Sequence, residues 1–493
     1  MEPPHELEVL IRSGHPLLAV ETHEEERLED ALHRIAQRHG MAFFVWTAGE
    51  GLRRDGHDRG LYDSKEPDKA LRNIRDLTLE GIWLFKDLHR YLDSPELLRQ
   101  LRELAGQKTK RRRALVLAGP KIELPPLIEK VSVRWRMALP TENELRRLVH
   151  EVVNDLGRMR RVRVDLTDDE YRRLVDGLKG LTHFQAERAV TEAVLDDLAL
   201  TAEDVESVQR AKRELIAKGG VVEYVPSRDD APELGGLGTF KRWVGKRARA
   251  FSDEAKAFGL PTPKGLVLLG VQGCGKTMAA RAVADLWKIP LLKLEAGRLY
   301  DMYMGESEKN LEEALWLAEH MSPCVLLIDE IEKGFASSSS AAADGGLSKR
   351  ILGRLLGWLQ DRRAPVFVVA TCNRVQELPP ELLRKGRFDE IFFVDLPTLE
   401  ERKEILALHL SIRDRDPKAF DLERLAAASD GFSGAELEQA IVASLYTAFA
   451  GGSRLTTELL EEEIRGTRPL SVTRREEVDA LRAWARERAV PAR

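Results

Sequence analysis

Long apolar runs, a cysteine framework and an excess of basic residues are all missing from this sequence of 493 residues. No uncharged apolar run approaches the roughly 18 residues that would suggest a membrane span. The N-terminus, MEPPHELEVL, has neither a basic stretch nor a long apolar stretch, so we expect no signal peptide. Three cysteines are too few for a disulfide framework, which favours a soluble protein of the reducing cytoplasm.

The charge balance argues against a protein that coats nucleic acid by bulk charge, because the formal net charge is −5. The sharpest basic run, KTKRRR at 108–113, has no interleaved aromatic residues and is typical of a solvated loop. Neither an HExxH motif nor a CxxC pair occurs, which disfavours a metal-dependent hydrolase. We therefore expect no membrane partner and no nucleic-acid partner.

What the sequence does contain is a degenerate internal repeat. Strand-like apolar segments recur in the same order in both halves. In each half they are followed by the short motifs ELPP and LPT. The helical segment GLTHFQAERAV from Gly180 matches GFSGAELEQAI from Gly431. Alternating apolar strands and helices predict a parallel sheet covered on both faces. The matched strands begin at Pro16, Ala42, Gly81 and Ala114 in the first half and at Gly265, Ile289, Cys324 and Val366 in the second.

A phosphate-binding loop is predicted in the second half. GVQGCGKT fits G-x-x-x-x-G-K-[ST] and lies between an apolar strand and a helical pattern, as that motif requires. Its glycines let successive N–H groups face phosphate oxygens, Lys276 adds a positive charge, and the Thr277 hydroxyl is a ligand for Mg²⁺. The residues predicted to contact ATP here are Gly270, Gly273, Cys274, Gly275, Lys276, Thr277 and Met278.

Two carboxylates, Asp329 and Glu330, stand at the end of the predicted buried strand in CVLLIDE at 324–330. We expect Asp329 to hold Mg²⁺, directly or through water, and Glu330 to act as the general base for the attacking water. An acidic strand end that only caps the following helix is the alternative, and the preceding phosphate-binding loop disfavours it.

These motifs, together with ATCN at 370–373 and LLRKGRFD at 382–389, resemble those of the AAA ATPases. The resemblance implies that Asn373 is a sensor of the terminal phosphate. It also implies that Arg384 and Arg387 are arginine fingers that enter a neighbouring subunit's site. Hydrolysis of ATP to ADP and phosphate would then depend on assembly, commonly as a ring of six. Surface salt bridges are the alternative role for the two arginines.

The lid and the entry segment of the same family are also matched. GFSGAEL resembles the start of the lid helix and places Gly434 and Ala435 where other branches carry a sensor arginine. ELGGL at 233–237 resembles the segment that lies against adenine. Longer segments, among them SPCVLLIDEIEKGF and LRKGRFDEIFFVDLP, resemble the AAA family that is named for a hypothetical plastid open reading frame and also occurs in bacteria.

The first half lacks the features of a nucleotide site. ETHEEE occupies the position of the phosphate-binding loop, and its carboxylates would repel a triphosphate. Phe85-Lys86-Asp87 stands in the place of Ile328-Asp329-Glu330. We predict a degenerate AAA-like domain; an unrelated α/β domain is the alternative.

The predicted fold is α/β: an AAA+ P-loop parallel sheet with a C-terminal helical lid, preceded by a degenerate AAA-like α/β domain with its own helical lid. The expected domains are the degenerate α/β domain, a helical lid-like part with linker, the nucleotide-binding domain, and the C-terminal lid and tail. Their predicted ranges are 1–148, 149–218, 219–398 and 399–493.

The substrate-contacting part is predicted to include Tyr303 and Met304. DMYMGESE resembles the aromatic–hydrophobic–Gly loop that lines the pore of substrate-threading AAA proteins, and an aromatic ring beside a thioether can grip varied side chains. Packing of Tyr303 in the core is the alternative. The low-complexity stretch 335–348 is either a second pore loop or a linker.

Two functions follow from these motifs, and a third, a nucleic-acid motor, is disfavoured by the acidic net charge. An oligomeric ATPase that remodels or disassembles a protein partner is the favoured one. The other is a nucleotide-dependent switch or scaffold whose degenerate half binds a partner. A redox switch at Cys274, which would need a lowered thiol pKa, is less favoured than inert packing.

Overall fold

A computed structural model describes residues 5–57, 60–77, 79–106, 112–159, 162–218, 221–227, 235–300, 306–335, 347–384 and 386–493. The chain divides into two compact units, residues 1–205 and 206–493. The predicted pore residues Tyr303 and Met304, and most of the stretch 335–348, lie outside the described residues. Among the helices that are described, none combines the length and the apolar character that crossing a membrane requires.

The first unit is a sheet between two layers of helices. Its strands are β1 Leu17–Glu21, β2 Ala42–Thr47, β3 Gly51–Arg54, β4 Gly81–Lys86, β5 Arg113–Gly119, β6 Val133–Arg136, β7 Arg163–Val164 and β8 Ala199–Leu200. Its helices are α1 His5–Arg12, α2 Glu25–Arg38, α3 Pro67–Asp76, α4 Pro95–Gly106, α5 Pro126–Glu129, α6 Glu142–Met159, α7 Asp168–Leu178, α8 His183–Asp197 and the start of α9 Ala202–Lys218.

Side chains of one strand alternate between the two faces of this sheet. Leu17 and Ala19 of β1 contact the apolar cluster that includes Leu101 of α4. Leu18 and Val20 contact the opposite cluster, which is contributed partly by α1 and α2. Because both faces are covered, the strand is apolar throughout.

The second unit is a larger sheet with the same layering. Its strands are β9 Val222–Val225, β10 Gly265–Gly270, β11 Leu291–Glu295, β12 Cys324–Asp329, β13 Val366–Cys372, β14 Glu390–Val394 and β15 Val490–Pro491. Its helices are the rest of α9, α10 Gly238–Gly245, α11 Asp253–Ala257, α12 Lys276–Trp287, α13 Glu306–His320, α14 Ile331–Phe335, α15 Leu347–Asp361, α16 Leu399–Ser411, α17 Leu422–Ala428, α18 Gly434–Ala450, α19 Thr457–Gly466, α20 Leu470–Thr473 and α21 Arg475–Arg488.

The two sheets have the same order of parallel strands. Within the described residues the first sheet runs β3-β2-β4-β5-β1-β6 and the second runs β15-β14-β10-β13-β12-β11-β9. Counted along the chain, the five parallel strands of each core lie in the order fifth, first, fourth, third, second. The strands that the sequence repeat paired occupy equivalent places, so the predicted fold is confirmed.

The repeated words LPT and GLT/GFS have a shared structural cause, which is helix capping. The LPT threonines Thr141 and Thr398 each accept a hydrogen bond from the N–H of the glutamate three residues later, whose carboxylate accepts in return. Thr182 and Ser433 form the same capping boxes at the starts of α8 and α18. Such reciprocal bonds satisfy donors that a helix start leaves free, which explains why these short words recur.

Helices α16 to α19 form a small bundle with its own apolar core, which includes Leu406, Leu437 and Leu460. After this bundle the chain returns to the sheet. Helix α21 places Leu481 in the core cluster of the sheet, and β15 pairs in parallel with β14.

Replacing Gly265 with alanine should destabilise the second unit. Gly265 has φ of 152°, and a Cβ there would lie 2.1 Å from the carbonyl oxygen of Val368 on β13. We expect Gly265→Ala to lower the free energy of unfolding by about 2–4 kcal/mol, since either the backbone or the sheet must shift. Calorimetry of the full chain without nucleotide measures this loss.

The matched control is Gly353→Ala, at an exposed position of α15 where a Cβ would meet nothing within 4 Å. There the substitution should be neutral or stabilise by up to about 1 kcal/mol, because alanine is the better helix former. Equal melting behaviour of the two variants would contradict the steric explanation.

Candidate nucleotide-binding site

The phosphate-binding loop connects β10 to α12 at the centre of the second sheet. Gly273 and Gly275 have φ of 79° and 83°, the left-handed region that glycine adopts without a steric penalty. A Cβ on Gly270 would lie 2.0 Å from the carbonyl oxygen of Val394, so this glycine permits close approach of β14. The three glycines of the motif therefore meet backbone requirements of this loop.

Lys276 is buried beneath the loop, and the whole residue is 6% exposed. Its Nζ donates hydrogen bonds to the carbonyl oxygens of Gly270 (2.9 Å) and Val271 (2.8 Å). Burial lowers the pKa of this ammonium group. Phosphate oxygens are charged acceptors and would form stronger hydrogen bonds with Nζ than these neutral carbonyls do.

Thr277 and Asp329 come together at the start of α12. Thr277 Oγ1 donates to Asp329 Oδ1 at 3.2 Å. A hydroxyl and a carboxylate are oxygen ligands of the kind that Mg²⁺ prefers, so the pair fits the predicted metal role. No group of three or more His, Cys, Asp or Glu side chains suited to a metal occurs in the described part of the chain.

Glu330 and Asn373 meet at the ends of β12 and β13. Asn373 Nδ2 donates to Glu330 Oε1 at 3.3 Å, and Lys333 Nζ lies 2.5 Å from Glu330 Oε2. Glu330 has φ of 50°, a backbone conformation that costs free energy in a non-glycine residue and is concentrated at functional sites. The structure thus brings the predicted base and the predicted sensor into direct contact.

A cavity of about 330 Å³ opens between the loop, the strand ends and the lid helices. Its volume lies within the range of small-ligand sites. Its apolar lining includes Leu237, Ile405 and Leu408, which suits a nucleotide base. Every residue that the sequence predicted to contact ATP or Mg²⁺, or to act as base or sensor, lines this cavity except Gly270 and the two arginines.

The lid helix α18 begins against the loop. Ala435 N donates to the carbonyl oxygen of Gly273 at 3.0 Å, and a Cβ on Gly434 would lie 3.4 Å from the same oxygen. Small residues at these two positions therefore permit the close approach.

Arg384 and Arg387 do not line the cavity of their own chain. Arg384 is exposed, and the half-buried Arg387 donates through Nη1 to the carbonyl oxygen of Leu356 at 3.4 Å. Their role as fingers therefore remains a prediction that concerns a second subunit.

The three cysteines are free thiols, and their surroundings oppose ionisation. Burial raises the pKa of Cys274 to about 12, and it does the same for Cys324. A redox switch at Cys274 would require a lowered thiol pKa. The pKa is raised instead, because desolvation outweighs the nearby charge of Lys276.

The equivalent loop of the first unit is filled by its own side chains. Glu24, which is 9% exposed, accepts a hydrogen bond from the backbone N–H of His183 at the start of α8. Arg27 donates to Glu24 (3.1 Å) and to the carbonyl oxygen of Ala138 (2.7 Å). A carboxylate thus lies where the second unit has its phosphate-binding backbone, as the degenerate motif ETHEEE predicts.

Sequence reasoning missed two residues at the acidic end of the site. Thr371 Oγ1 donates to Asp329 Oδ1 at 2.6 Å and accepts from Glu330 N at 2.9 Å, so one hydroxyl binds the carboxylate of Asp329 and the backbone of Glu330. Glu332, which is 3% exposed, accepts from Asn373 N at 2.9 Å. The hydroxyl in ATCN, at the end of a buried strand, was the available signal for Thr371.

Comparisons with known proteins agree with this geometry. The family model described as "ATPase family associated with various cellular activities (AAA)" matches residues 266–396. Models described as "SpoVK-like AAA ATPase, N-terminal domain" and "SpoVK-like AAA ATPase, second domain" match residues 4–137 and 143–219.

Full-length relatives are also found, each named "Uncharacterized AAA domain-containing protein ycf46". The protein of Pyropia yezoensis is 34% identical over 484 residues, which cover 97% of each chain. That of Guillardia theta is 34% identical over 97% of this chain and 94% of its own. That of Trieres chinensis is 33% identical over 97% of this chain and 96% of its own.

Thr371→Val should impair ATP cleavage more than ATP binding. Valine has the same shape but neither accepts from Glu330 N nor donates to Asp329, so the carboxylate of Asp329 and the backbone of Glu330 lose a common partner. We expect phosphate release to fall about 10- to 100-fold, with ATP affinity changed only a few-fold. Thr371→Ser, which keeps the hydroxyl, is the control; equal rates for the two variants would contradict this role.

Proposed function

Because the chain belongs to the AAA ATPase family, we propose that it hydrolyses ATP to ADP and phosphate, acts as a homo-oligomeric ring, and remodels a protein partner. The observation that carries the proposal is the contact between Glu330 and Asn373 beside the loop that buries Lys276. These groups meet where the terminal phosphate of a bound ATP would lie, at the N-terminus of α12.

Each residue has a distinct part in the proposed reaction. Lys276 and the loop N–H groups bind the phosphates, and Thr277 and Asp329 hold Mg²⁺, which when bound neutralises charge on the phosphate oxygens. Glu330 accepts the proton of a water whose oxygen attacks the terminal phosphorus, and the bond from phosphorus to the bridging oxygen of ADP breaks. Asn373 orients the carboxylate of Glu330 through its amide.

The composition of the cavity supports assembly. No arginine occurs among the described residues that line it, so the charge of an arginine finger would have to come from outside this cavity. Arg384, which is exposed, and Arg387, which donates to the carbonyl oxygen of Leu356, do not line it and are the candidates to serve the site of a second copy. A closed ring, which we propose to have six subunits, gives every site a neighbour.

Other assignments belong to the same proposal. Residues 1–148 and 149–218 are a non-binding α/β domain and its lid, residues 219–398 and 399–493 are the ATPase core with its lid and tail, and the cytoplasm is the compartment. The carboxylate of Glu24, which fills the first loop, supports a first half that serves architecture or partner binding rather than hydrolysis.

A nucleotide-dependent switch or scaffold is the second candidate. The filled loop of the first unit favours it, because a domain that is retained without a nucleotide site is available to bind a regulator. Threading of a substrate requires the pore residues Tyr303 and Met304, whereas a switch does not.

Glu330→Gln should bind ATP without cleaving it and should trap the ring. Arg387→Ala should keep ATP binding but lose roughly 10³-fold in hydrolysis, because the finger acts on the neighbouring site. Light scattering with ATP, combined with phosphate release, measures both effects. Arg363→Ala, at an exposed arginine beyond α15, is the matched control.

A monomer of every variant that still turns over at the wild-type rate would contradict the finger in trans. In that outcome the switch becomes the better explanation. If the ring forms, the Glu330→Gln assembly serves as bait for the protein partner.

Tyr303→Ala should separate the two functions. If the protein threads a substrate, the variant keeps its basal ATPase rate but loses the stimulation that a captured partner produces. Tyr300→Ala, on the same segment but before the predicted loop, is the control. Full stimulation of Tyr303→Ala by that partner would exclude threading through this residue.

A further inference from the structure

A second cavity, of about 290 Å³, adjoins the nucleotide cavity on the side where Glu330 and Asn373 lie. Both cavities are lined by Gln272 of the phosphate-binding loop, by Glu330 and by Asn373. The opposite wall belongs to the C-terminal segment, which we define as residues 470–493 and which contributes Arg474. This part of the chain therefore lines a cavity that shares Glu330 and Asn373 with the nucleotide cavity.

The C-terminal segment is attached to the core at three kinds of contact. Val478 packs in one apolar cluster with Val271, the residue that follows β10. Leu470 N donates to Glu436 Oε1 of the lid helix at 2.7 Å. Arg482 binds Asp395, a lining residue of the nucleotide cavity, with Nε and Nη2 at 3.0 and 2.9 Å from Oδ1.

These contacts hold Arg474 between fixed elements. It lies at the junction of α20 and α21, so its backbone is positioned by Leu470 on one side and by Val478 on the other. A guanidinium on a supported backbone loses less conformational entropy when it binds an anion than one on a free tail.

Among the three cations that line the second cavity in the described residues, Arg474 has the weakest internal ion pair. Lys333 Nζ lies 2.5 Å from Glu330 Oε2, and Arg374 Nη1 lies 3.1 Å from Glu377 Oε1. Arg474 Nη1 lies 3.7 Å from Glu477 Oε2, and its side chain is 47% exposed. Of the three cations, Arg474 therefore has the longest ion-pair distance to a carboxylate of its own chain.

Carboxylates line the wall that this cavity shares with the nucleotide cavity. Glu332 is 3% exposed, and its Oε2 has no hydrogen-bond partner within the described structure. Together with Glu330 it places negative charge at the boundary of the two cavities. A terminal phosphate at that boundary adds further negative charge and can accept from a planar guanidinium through two oxygens.

On the basis of the proposed function, we propose that Arg474 binds the terminal phosphate of ATP within its own subunit. The residue would distinguish the triphosphate from the diphosphate. It would supply a cation from the C-terminal segment, since Gly434 and Ala435, the lid residues that touch the loop, carry no charge. The arginine finger of a second copy acts on the same phosphate from outside the subunit.

The test compares the affinities of the full chain for ADP and for a non-hydrolysable ATP analogue by calorimetry with Mg²⁺. Arg474→Ala should weaken binding of the analogue about tenfold or more and leave binding of ADP within about twofold. Arg474→Lys should recover part of the loss, since it keeps the charge but not the two-oxygen geometry. The matched control is Arg475→Ala, whose side chain is 81% exposed and lies outside the cavity lining.

Equal weakening of both ligands by Arg474→Ala, or no weakening of either, would overturn the role of Arg474 while leaving the proposed function intact. Wild-type protein that binds neither ligand would overturn the proposed function itself. The unchanged affinity for ADP separates a contact with the terminal phosphate from a general loss of structure.

Discussion

The ammonium group of Lys276 is buried under a short loop and donates to two carbonyl oxygens of that loop. A buried cation with neutral partners costs free energy, and an anion bound on the loop offsets that cost. The surrounding structure follows from this arrangement. Strand β10 must end at the centre of the sheet, Gly273 and Gly275 must adopt left-handed backbone, and α12 must begin at once so that its free N–H groups face the same anion.

The two units share one order of parallel strands but differ in the loop that follows the first parallel strand, which is β1 in one unit and β10 in the other. In the second unit the lid helix begins by donating Ala435 N to Gly273, and the loop keeps its own N–H groups for phosphate. In the first unit the equivalent helix donates His183 N to the carboxylate of Glu24. An internal carboxylate there takes the negative role that a phosphate would take, so the fold closes without a ligand.

The C-terminal segment connects parts of the site that are distant along the chain. It contacts the residue after β10 through Val478, the lid through Leu470 and the cavity wall through the pair Arg482–Asp395. The segment therefore joins the loop, the lid and the cavity wall, three parts of the second unit that lie far apart in the sequence.

The sequence by itself determined the phosphate-binding loop, the carboxylates Asp329 and Glu330, the succession of strands along the chain in both halves, and the absence of a phosphate-binding motif in the first. Each of these features depends on a short contiguous segment, in which the residue types and their spacing indicate the chemistry. The capping boxes that begin at the threonine of LPT are an example. Only the tertiary structure decided that Thr371 binds both Asp329 and the backbone of Glu330, that Arg482 binds Asp395, and that Arg474 lines the cavity beside Glu330. The partners of Thr371 and Arg482 lie 42 and 87 residues away. Such contacts leave no periodic trace in the sequence, because they are created when separate strands and helices pack together.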